Sequence, residues 1–589
     1  MKSPEAVPQP PQIPPNLPAK ERIVARLTYL YGEERAEPIA RRVRRLLKTH
    51  RQLRTRVLQG DLWTHRDLVL ISYADSIQSS THPPLQTLHQ FLNAYLADAF
   101  SMVHILPFFP WSSDDGFSVT DFRAVKTDLG SWEDIKRLAE DFDLAIDLVL
   151  NHCSRENLWF IDYLFGDQPA CDYFIELDPS TNLSLVTRPR STPLLSGVRT
   201  QTGMRHVWTT FSNDQIDLNY ANPDVLIEFI DILLYYIRRG ARMVRLDAVA
   251  YLWKTIGTSC IHLPQTHQVV KLFRDVLELV EPAALIMTET NVPHAENIGY
   301  FGDGDEAHVV YQFSLPPLLL HGLVAGTSRY LNAWAMSLED LALPSGCTFL
   351  NFTASHDGVG LRPLEGLVPP DEVDTLLATM RERGGYISTK SNSDGSESPY
   401  ELNISYFDAF RDSGGDNRWH IEQFMVSQVV SLAFKGIPAV YIHCLTATPN
   451  DTLGVERSGM TRSVNRRKWD RSELQQLIDD PTSETGRVFK LYTRLLELRR
   501  EQVAFHPDAE QTLLDLGDPL FGFERTATDG AQHILVLANL TARSVALGLD
   551  RLPVDLRGRE ELLALNKLEF SQDALILEPF AVFWFSQRS

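Results

Sequence analysis

From about Leu68 onward the chain alternates short unbroken apolar runs with longer stretches whose apolar positions recur at helical spacing. The runs are Leu68 to Tyr73, Met102 to Leu106, Leu144 to Val149, Ala241 to Leu246, Leu285 to Met287, Val309 to Phe313, Thr348 to Phe352 and Ala439 to Ile442. Continuous apolar strands are buried on both faces, and strands separated by helical crossovers pair in parallel. Eight such units predict an α/β fold, a (β/α)8 TIM barrel over residues 66–152 and 217–503.

The segments outside that pattern predict additions to the barrel. Residues 1–19 are Pro-rich and are expected to be a disordered tail. Within residues 20–65, Ile23, Leu27 and Leu30, then Ile39, Val43, Leu46, Leu47 and Leu53, predict two amphipathic helices packed on the outside. The second carries Arg41, Arg42, Arg44, Arg45, Lys48, Arg51 and Arg54, read as a solvated face or one docked on the acidic body of the protein. Residues 153–216 are too long for a simple loop and predict an inserted domain; residues 361–412, rich in Gly, Ser, Asn and Pro near Ser388 to Pro399, predict a second insertion of acceptor and phosphate loops. From about Ala504 strand signals such as Phe521-Gly-Phe-Glu and Ile534-Leu-Val-Leu-Ala predict a C-terminal β-sandwich over 504–589.

Acidic residues stand at the C-terminal ends of these strands, where barrel enzymes place their chemistry. Asp247 closes Arg245-Leu-Asp247-Ala248-Val249, Glu289 ends Leu285-Ile-Met-Thr-Glu289, and the pair His356-Asp357 follows the seventh run. Retaining cleavage of a glycosidic bond needs one carboxylate to attack the anomeric carbon and a second, about 5–5.5 Å away, to protonate the leaving oxygen. Asp247 fits the first role and Glu289 the second. Arg245 lies two residues earlier on the same strand face and so can keep Asp247 ionised. Asp357 is read as the third carboxylate, stabilising the cationic ring, with His356 donating to a sugar hydroxyl.

With the segment Asp147-Leu-Val-Leu-Asn151-His152, the four sequences DLVLNH, RLDAV, TETN and SHD resemble the signature regions of glycoside hydrolase family 13, the α-amylase superfamily. The resemblance implies the same roles for Asp247, Glu289 and Asp357. Asp114-Asp115-Gly116-Phe117, the run from Gly257 to His262, Glu289 to Asn297 and Val464-Asn465-Arg466 are similar to the sucrose phosphorylase subfamily, and within it to the glucosylglycerate phosphorylases. That likeness implies cleavage of 2-O-α-D-glucosyl-D-glycerate by inorganic phosphate to α-D-glucose 1-phosphate and D-glycerate. It also implies a glucose site floored by Asp114 and Arg466, with Phe117 stacked on the ring and His152 bonding near the hydroxymethyl group. Phosphorylases of sucrose, sucrose 6'-phosphate or glucosylglycerol, and α-glucoside hydrolases of the same fold, remain alternatives, because the same catalytic trio serves them all. A non-catalytic carbohydrate-binding member is disfavoured by the intact trio.

One departure bears on the leaving group. Sucrose phosphorylases typically carry a Tyr-Gln pair in an acceptor loop, where this chain has Tyr400-Glu401. An ionised carboxylate only accepts hydrogen bonds, whereas the amide also donates. A glycerate leaving group needs its own carboxylate neutralised, a task suited to the planar fork of arginine. Arg188 and Arg190, in Thr187-Arg188-Pro189-Arg190-Ser191, are the candidates for glycerate or phosphate.

Charge sharpens the picture. The 589 residues carry a formal net charge of -20, which disfavours nucleic acid or an anionic membrane as partner. An enzyme using phosphate within so acidic a body requires a local positive pocket. Cys153, Cys171, Cys260, Cys347 and Cys444 show no zinc spacing, and no metal or organic cofactor is expected; inorganic phosphate enters as a co-substrate. Neither a secretory leader nor a membrane span is evident, so a cytoplasmic location is expected. The sequence leaves the oligomeric state open.

Overall fold

Eight parallel strands close on themselves in chain order. They are β1 (Val69–Ser72), β2 (Met102–Ile105), β3 (Asp143–Val149), β4 (Ala241–Asp247), β5 (Leu285–Thr288), β6 (Val309–Tyr311), β7 (Thr348–Asn351) and β8 (Ile437–Tyr441). Val69 pairs with Ala439 to shut the barrel. Nearly every strand residue is buried, as continuous apolar runs require when side chains fill the lumen on one face and meet helices on the other. The computed structural model describes residues 10–11, 13–14, 16–50, 61–392 and 396–588.

The register between β3 and β4 brings charged residues together in the barrel wall. It sets Asp147 beside Arg245 and Val149 beside Asp247. Polar residues therefore face one another inside an otherwise apolar wall, and each must find a partner.

Helices α1 (Ala19–Tyr31) and α2 (Glu33–His50) lie outside the barrel, burying Ile23, Leu27, Leu30, Ile39, Val43 and Leu47. Arg22 and Arg26 of α1 both bond Asp275 of the barrel helix Pro264–Val280, at 2.6 and 2.7 Å. On α2, Arg42 pairs with Asp224 of helix Pro223–Arg238 and Arg44 with Glu37, while Arg41, Arg45 and Lys48 are exposed. Most of the expected Pro-rich tail, together with Arg51, Leu53 and Arg54, lies outside the described residues.

Between β3 and helix Pro223–Arg238 the chain forms helix Leu158–Phe165, the hairpin Leu195–Thr200 with Gly203–Trp208, and a short ladder of His152–Ser154 with Gln215–Asp217. The buried Lys254 Nζ reaches Asp217 at 2.6 Å and Asn151 at 2.9 Å, tying the end of this segment to the barrel rim. The stretch 361–412, expected as loops, instead holds helix Pro370–Glu382 and an antiparallel hairpin of Tyr386–Ser391 with Glu397–Asn403, joined by Val359–Gly360. Small polar, half-exposed residues such as Ser388, Thr389 and Ser391 give the first hairpin strand no apolar alternation to read. Part of the loop near Ser388 to Pro399, residues 393–395, lies outside the described residues.

Beyond the barrel, one five-stranded and one three-stranded antiparallel sheet enclose a separate apolar core that includes Leu520, Leu535, Leu547, Leu575 and Phe583. Among the described residues no helix is long and apolar enough to cross a membrane, and all five cysteines are free.

Candidate active site

Arg245 sits at the centre of the upper barrel with almost no exposure. Its Nη1 donates to Asp247 Oδ1 at 2.8 Å and also to Asp147, and Nη2 stands 3.8 Å from Glu289 Oε2. Asp147 in turn takes His104 Nε2 at 2.6 Å, so its charge is held from both sides. Burial opposes ionisation of Asp147, but Arg245 and His104 bring its carboxyl below the ordinary range. Two strand residues spaced by two, Arg245 and Asp247, thus share one face, as strand alternation requires.

Asp247 is followed by a break in the strand. Ala248 adopts φ 51 and ψ 30, a left-handed conformation uncommon for a residue with a side chain. That turn aims the Ala248 N–H at Glu289 Oε2, 3.2 Å away. Burial raises the carboxyls of both Asp247 and Glu289, and their mutual repulsion adds to the effect on Asp247. Two close carboxylates in a dry site hold a proton between them. The direct bond from Arg245 works against that rise at Asp247, and the Ala248 N–H works against it at Glu289.

Asp357 arrives from the segment after β7. Arg462 Nη1 reaches its Oδ1 at 2.8 Å. The same guanidinium clasps Glu401 in a bidentate pair, Nε to Oε1 at 2.9 Å and Nη2 to Oε2 at 2.6 Å, and Glu401 Oε1 also accepts the Gly358 N–H at 3.2 Å. Burial works against both acids, yet Arg462 holds both below their ordinary ranges. His356 Nε2 stands 3.5 Å from Asp357 Oδ2; burial, then Arg245 and Arg466, push the imidazole well below its ordinary range and leave it neutral at pH 7.

The expected floor of the glucose site is rearranged in detail. Arg466 donates from Nη1 to Asp115 at 2.9 Å and from Nε to the His356 carbonyl at 2.9 Å, with Asp114 farther, at 3.6 Å. Asp114 and Asp115 both have positive φ, 53 and 47, so a tight turn brings two consecutive acids to one arginine. Phe117 lies parallel to the His356 ring at 4.8 Å, so one of its faces is already covered. His152 Nε2 pairs with the Phe117 carbonyl at 2.9 Å, while Nδ1 is 3.3 Å from the Asn151 amide.

Asp114, Phe117, His152, Asp247, Glu289, His356, Asp357, Tyr400, Glu401, Arg190 and Arg462 line one cleft. Arg190 lies over the Tyr400 ring at 5.2 Å, and burial raises the Tyr400 hydroxyl to about 12. Among the described residues Arg190 has no carboxylate partner, unlike Arg462, which has two. Arg188 does not line the cleft; its Nη2 bonds the carbonyls of Ser191 and Thr192 and so braces its own loop. Sequence reasoning missed Arg462, Asp115, Gln215, Asn291 and Tyr251. Arg462 stands only four residues before Arg466, but nothing local ties it to Glu401.

Comparison with known proteins agrees with the barrel. The family described as alpha amylase, catalytic domain, matches residues 91–340. A glucosylglycerate phosphorylase from Spirochaeta thermophila is 47% identical over 477 residues, covering 81% of each chain. One from Escherichia coli is 41% identical over 569 residues, 96% of this chain and 100% of that one. Among solved structures, sucrose 6F-phosphate phosphorylase from Thermoanaerobacter thermosaccharolyticum superposes with a TM-score of 0.70 at 24% identity, over 81% of this chain and 94% of that one.

Proposed function

The chain belongs to the glucosylglycerate phosphorylase family, and from that premise we propose that it cleaves 2-O-α-D-glucosyl-D-glycerate with inorganic phosphate, releasing D-glycerate and α-D-glucose 1-phosphate, by two successive displacements at Asp247. Asp247 Oδ attacks the anomeric carbon while Glu289 transfers its proton to the departing glycerate oxygen, giving a β-glucosyl ester. Phosphate then attacks the same carbon, losing a proton to Glu289 where the acceptor oxygen carries one, and the α configuration returns. Asp357 faces the cationic ring that develops in each transition state. Asp114, Phe117, His152 and His356 form the glucose pocket, with Arg466 behind it on Asp115 and the His356 carbonyl, and Tyr400 with Arg190 stands at the acceptor side.

One observation carries the phosphorylase reading over a hydrolase. In a cleft lined by Asp114, Asp247, Glu289, Asp357 and Glu401, Arg190 is the lining arginine with no carboxylate in ion-pair contact among the described residues. Water has no use for such a group, whereas phosphate and the glycerate carboxylate need it against the surrounding acids. The ester intermediate supplies the activation, so no metal or organic cofactor enters the scheme. Use of free phosphate and retention of a charged sugar product suit a cytoplasmic location, and the net charge of -20 argues against nucleic acid or anionic membrane as partner.

The test is release of α-glucose 1-phosphate from glucosylglycerate, sucrose, sucrose 6'-phosphate and glucosylglycerol, each with and without phosphate. Strongest phosphate-dependent turnover on glucosylglycerate is expected. Preference for another donor refutes the leaving group, and equal glucose release without phosphate refutes phosphorolysis.

A further inference from the structure

We propose that Asp214 is a positioning residue that holds the turn 114–117, and through it the glucose pocket, in its working geometry. The starting point is the number of hydroxyls that converge on one carboxylate. Asp214 Oδ2 accepts from Ser112 at 2.6 Å, from Ser118 at 2.8 Å and from Ser113, while Oδ1 accepts the Arg155 N–H at 3.3 Å. These serines flank the turn on both sides, so one side chain grips it at its two ends. Ser112 Oγ also meets Ser154 Oγ at 2.5 Å, and the Ser112 N–H donates to the Ser118 carbonyl at 3.1 Å, which closes the loop. Burial opposes ionisation of Asp214, but the serine hydroxyls bring its carboxyl below the ordinary range, so the acceptor is charged at pH 7.

The turn needs this grip because its backbone is unfavourable. Asp114, Asp115 and Gly116 have φ of 53, 47 and 114, a left-handed run in which only the last residue lacks a side chain. Such a conformation persists where its surroundings over-determine it. At Gly116 a Cβ would stand 2.6 Å from the Pro107 carbonyl oxygen, so the turn is also pressed against the chain that follows β2. What it delivers is the pocket itself. Asp114 and Phe117 line the cleft, Asp115 takes Arg466 at 2.9 Å, and the Phe117 carbonyl pairs with His152 Nε2 at 2.9 Å. Gln215, next to Asp214, lines the same cleft and donates from Nε2 to the Phe117 carbonyl at 3.3 Å. Adjacent residues thus hold the turn by its serines and by its backbone. An amide in place of the Asp214 carboxylate keeps one acceptor oxygen, loses the charge, and turns an NH2 toward either the serines or the Arg155 N–H.

The inference rests on the proposed glucose pocket, and the experiment separates the two claims. Asp214→Asn, Ser118→Ala, the triple variant Ser112→Ala/Ser113→Ala/Ser118→Ala, and that triple variant carrying Asp214→Asn are compared with wild type. The donors are glucosylglycerate and α-glucosyl fluoride, whose leaving fluoride makes no acceptor-site contact, and D-glucose serves as competitive inhibitor. Contacts made equally in ground state and transition state raise KM and spare kcat when lost. Expected for Asp214→Asn is a rise of about tenfold in KM for both donors and in the inhibition constant of D-glucose, with kcat within about threefold. kcat/KM for phosphate, which starts from sugar already held as the ester, should stay within about threefold. Ser118→Ala, which leaves the carboxylate the hydroxyls of Ser112 and Ser113, should raise the same constants by about twofold to threefold. Without the serines, Asp214→Asn should add less than about twofold, because these groups act as one unit. A carboxylate that only supports the fold would lower the thermal midpoint or the active fraction and leave the glucose constant where it is. An unchanged glucose constant therefore overturns the proposal, as does a loss confined to glucosylglycerate or one that survives in full without the serines. Wild-type turnover of the fluoride but not of glucosylglycerate refutes the proposed substrate and leaves Asp214 judged on the fluoride and on glucose; no turnover of either donor overturns both.

Discussion

The backbone N–H of Ala248 donates to the carboxylate of Glu289 at 3.2 Å, so the residue that follows the proposed nucleophile Asp247 orients the proposed acid. The bond exists only because Ala248 takes φ 51, a conformation that an alanine tolerates at some cost and a β-branched residue resists strongly. Ala248→Val is expected to lower kcat/KM by about tenfold, the equivalent of about 1.4 kcal/mol of lost transition-state stabilisation, while Ala248→Gly stays within about threefold. Steady-state kinetics on glucosylglycerate decides, and equal activity of the Val variant would remove the turn from the mechanism.

Burial and charge crowding raise the carboxyls of Asp247 and Glu289, with a pH consequence for the reaction. A raised acid keeps its proton as pH climbs beyond the ordinary carboxyl range and loses it only higher, so the alkaline limb of kcat/KM should lie above that range. Glu289→Gln should cost about 10²–10⁴-fold on glucosylglycerate, and much less on α-glucosyl fluoride, whose departure needs little acid help; the alkaline limb on the fluoride should flatten. Asp247→Asn should leave neither donor turned over. Phosphorolysis that survives this last change would exclude Asp247 as the nucleophile.

Arg190 and Arg188 are neighbours in sequence with different surroundings. The first lines the cleft over Tyr400, and the second bonds the carbonyls of Ser191 and Thr192. Arg190→Met is expected to raise the KM for phosphate by about tenfold or more, consistent with loss of one charge-assisted contact of about 1.5–3 kcal/mol. Arg188→Ala should change it less than about threefold, as expected for a residue whose contacts lie away from the site. Initial rates over a phosphate titration distinguish them, and a larger effect at Arg188 would reverse the assignment.

The sequence made the barrel readable because each strand is a near-continuous apolar run, and the acids readable because each stands within a few residues of such a run's end. Asp247 and Arg245 needed only strand alternation to be placed together. Side-chain pairing between distant loops was a different matter. The tie from Arg462 to Glu401 spans 61 residues, and that from Arg466 to Asp115 spans 351. Sequence order carries no trace of such pairings: Asp114 was expected beside Arg466, and a turn with two positive φ values brings Asp115 nearer. Phe117 illustrates the same limit, since an aromatic near a sugar site says nothing of the His356 ring that covers one face. The hairpin from Tyr386 to Asn403 escaped for a simpler reason, because its first strand is polar and half-exposed along its length.

Lys254 extends the same long-range logic to stability. Its buried ammonium meets Asp217 at 2.6 Å, Asn151 at 2.9 Å and the Tyr251 carbonyl at 2.5 Å, joining the segment before helix Pro223–Arg238 to the rims of β3 and β4. Asp217 is wholly buried and also accepts from Thr210 and Asn151. Removing the cation strands that carboxylate in a dry site, and breaking a buried pair from one side costs about 3–5 kcal/mol, far more than the pair contributes over an apolar replacement. Lys254→Met should therefore lower the thermal midpoint by several degrees. Lys254→Met/Asp217→Asn, which removes the stranded charge and keeps acceptor and donor atoms, should recover part of the loss. Differential scanning calorimetry at one fixed scan rate measures both, and an unchanged midpoint for the single variant would mean that desolvation of the ammonium already offsets its attraction to Asp217.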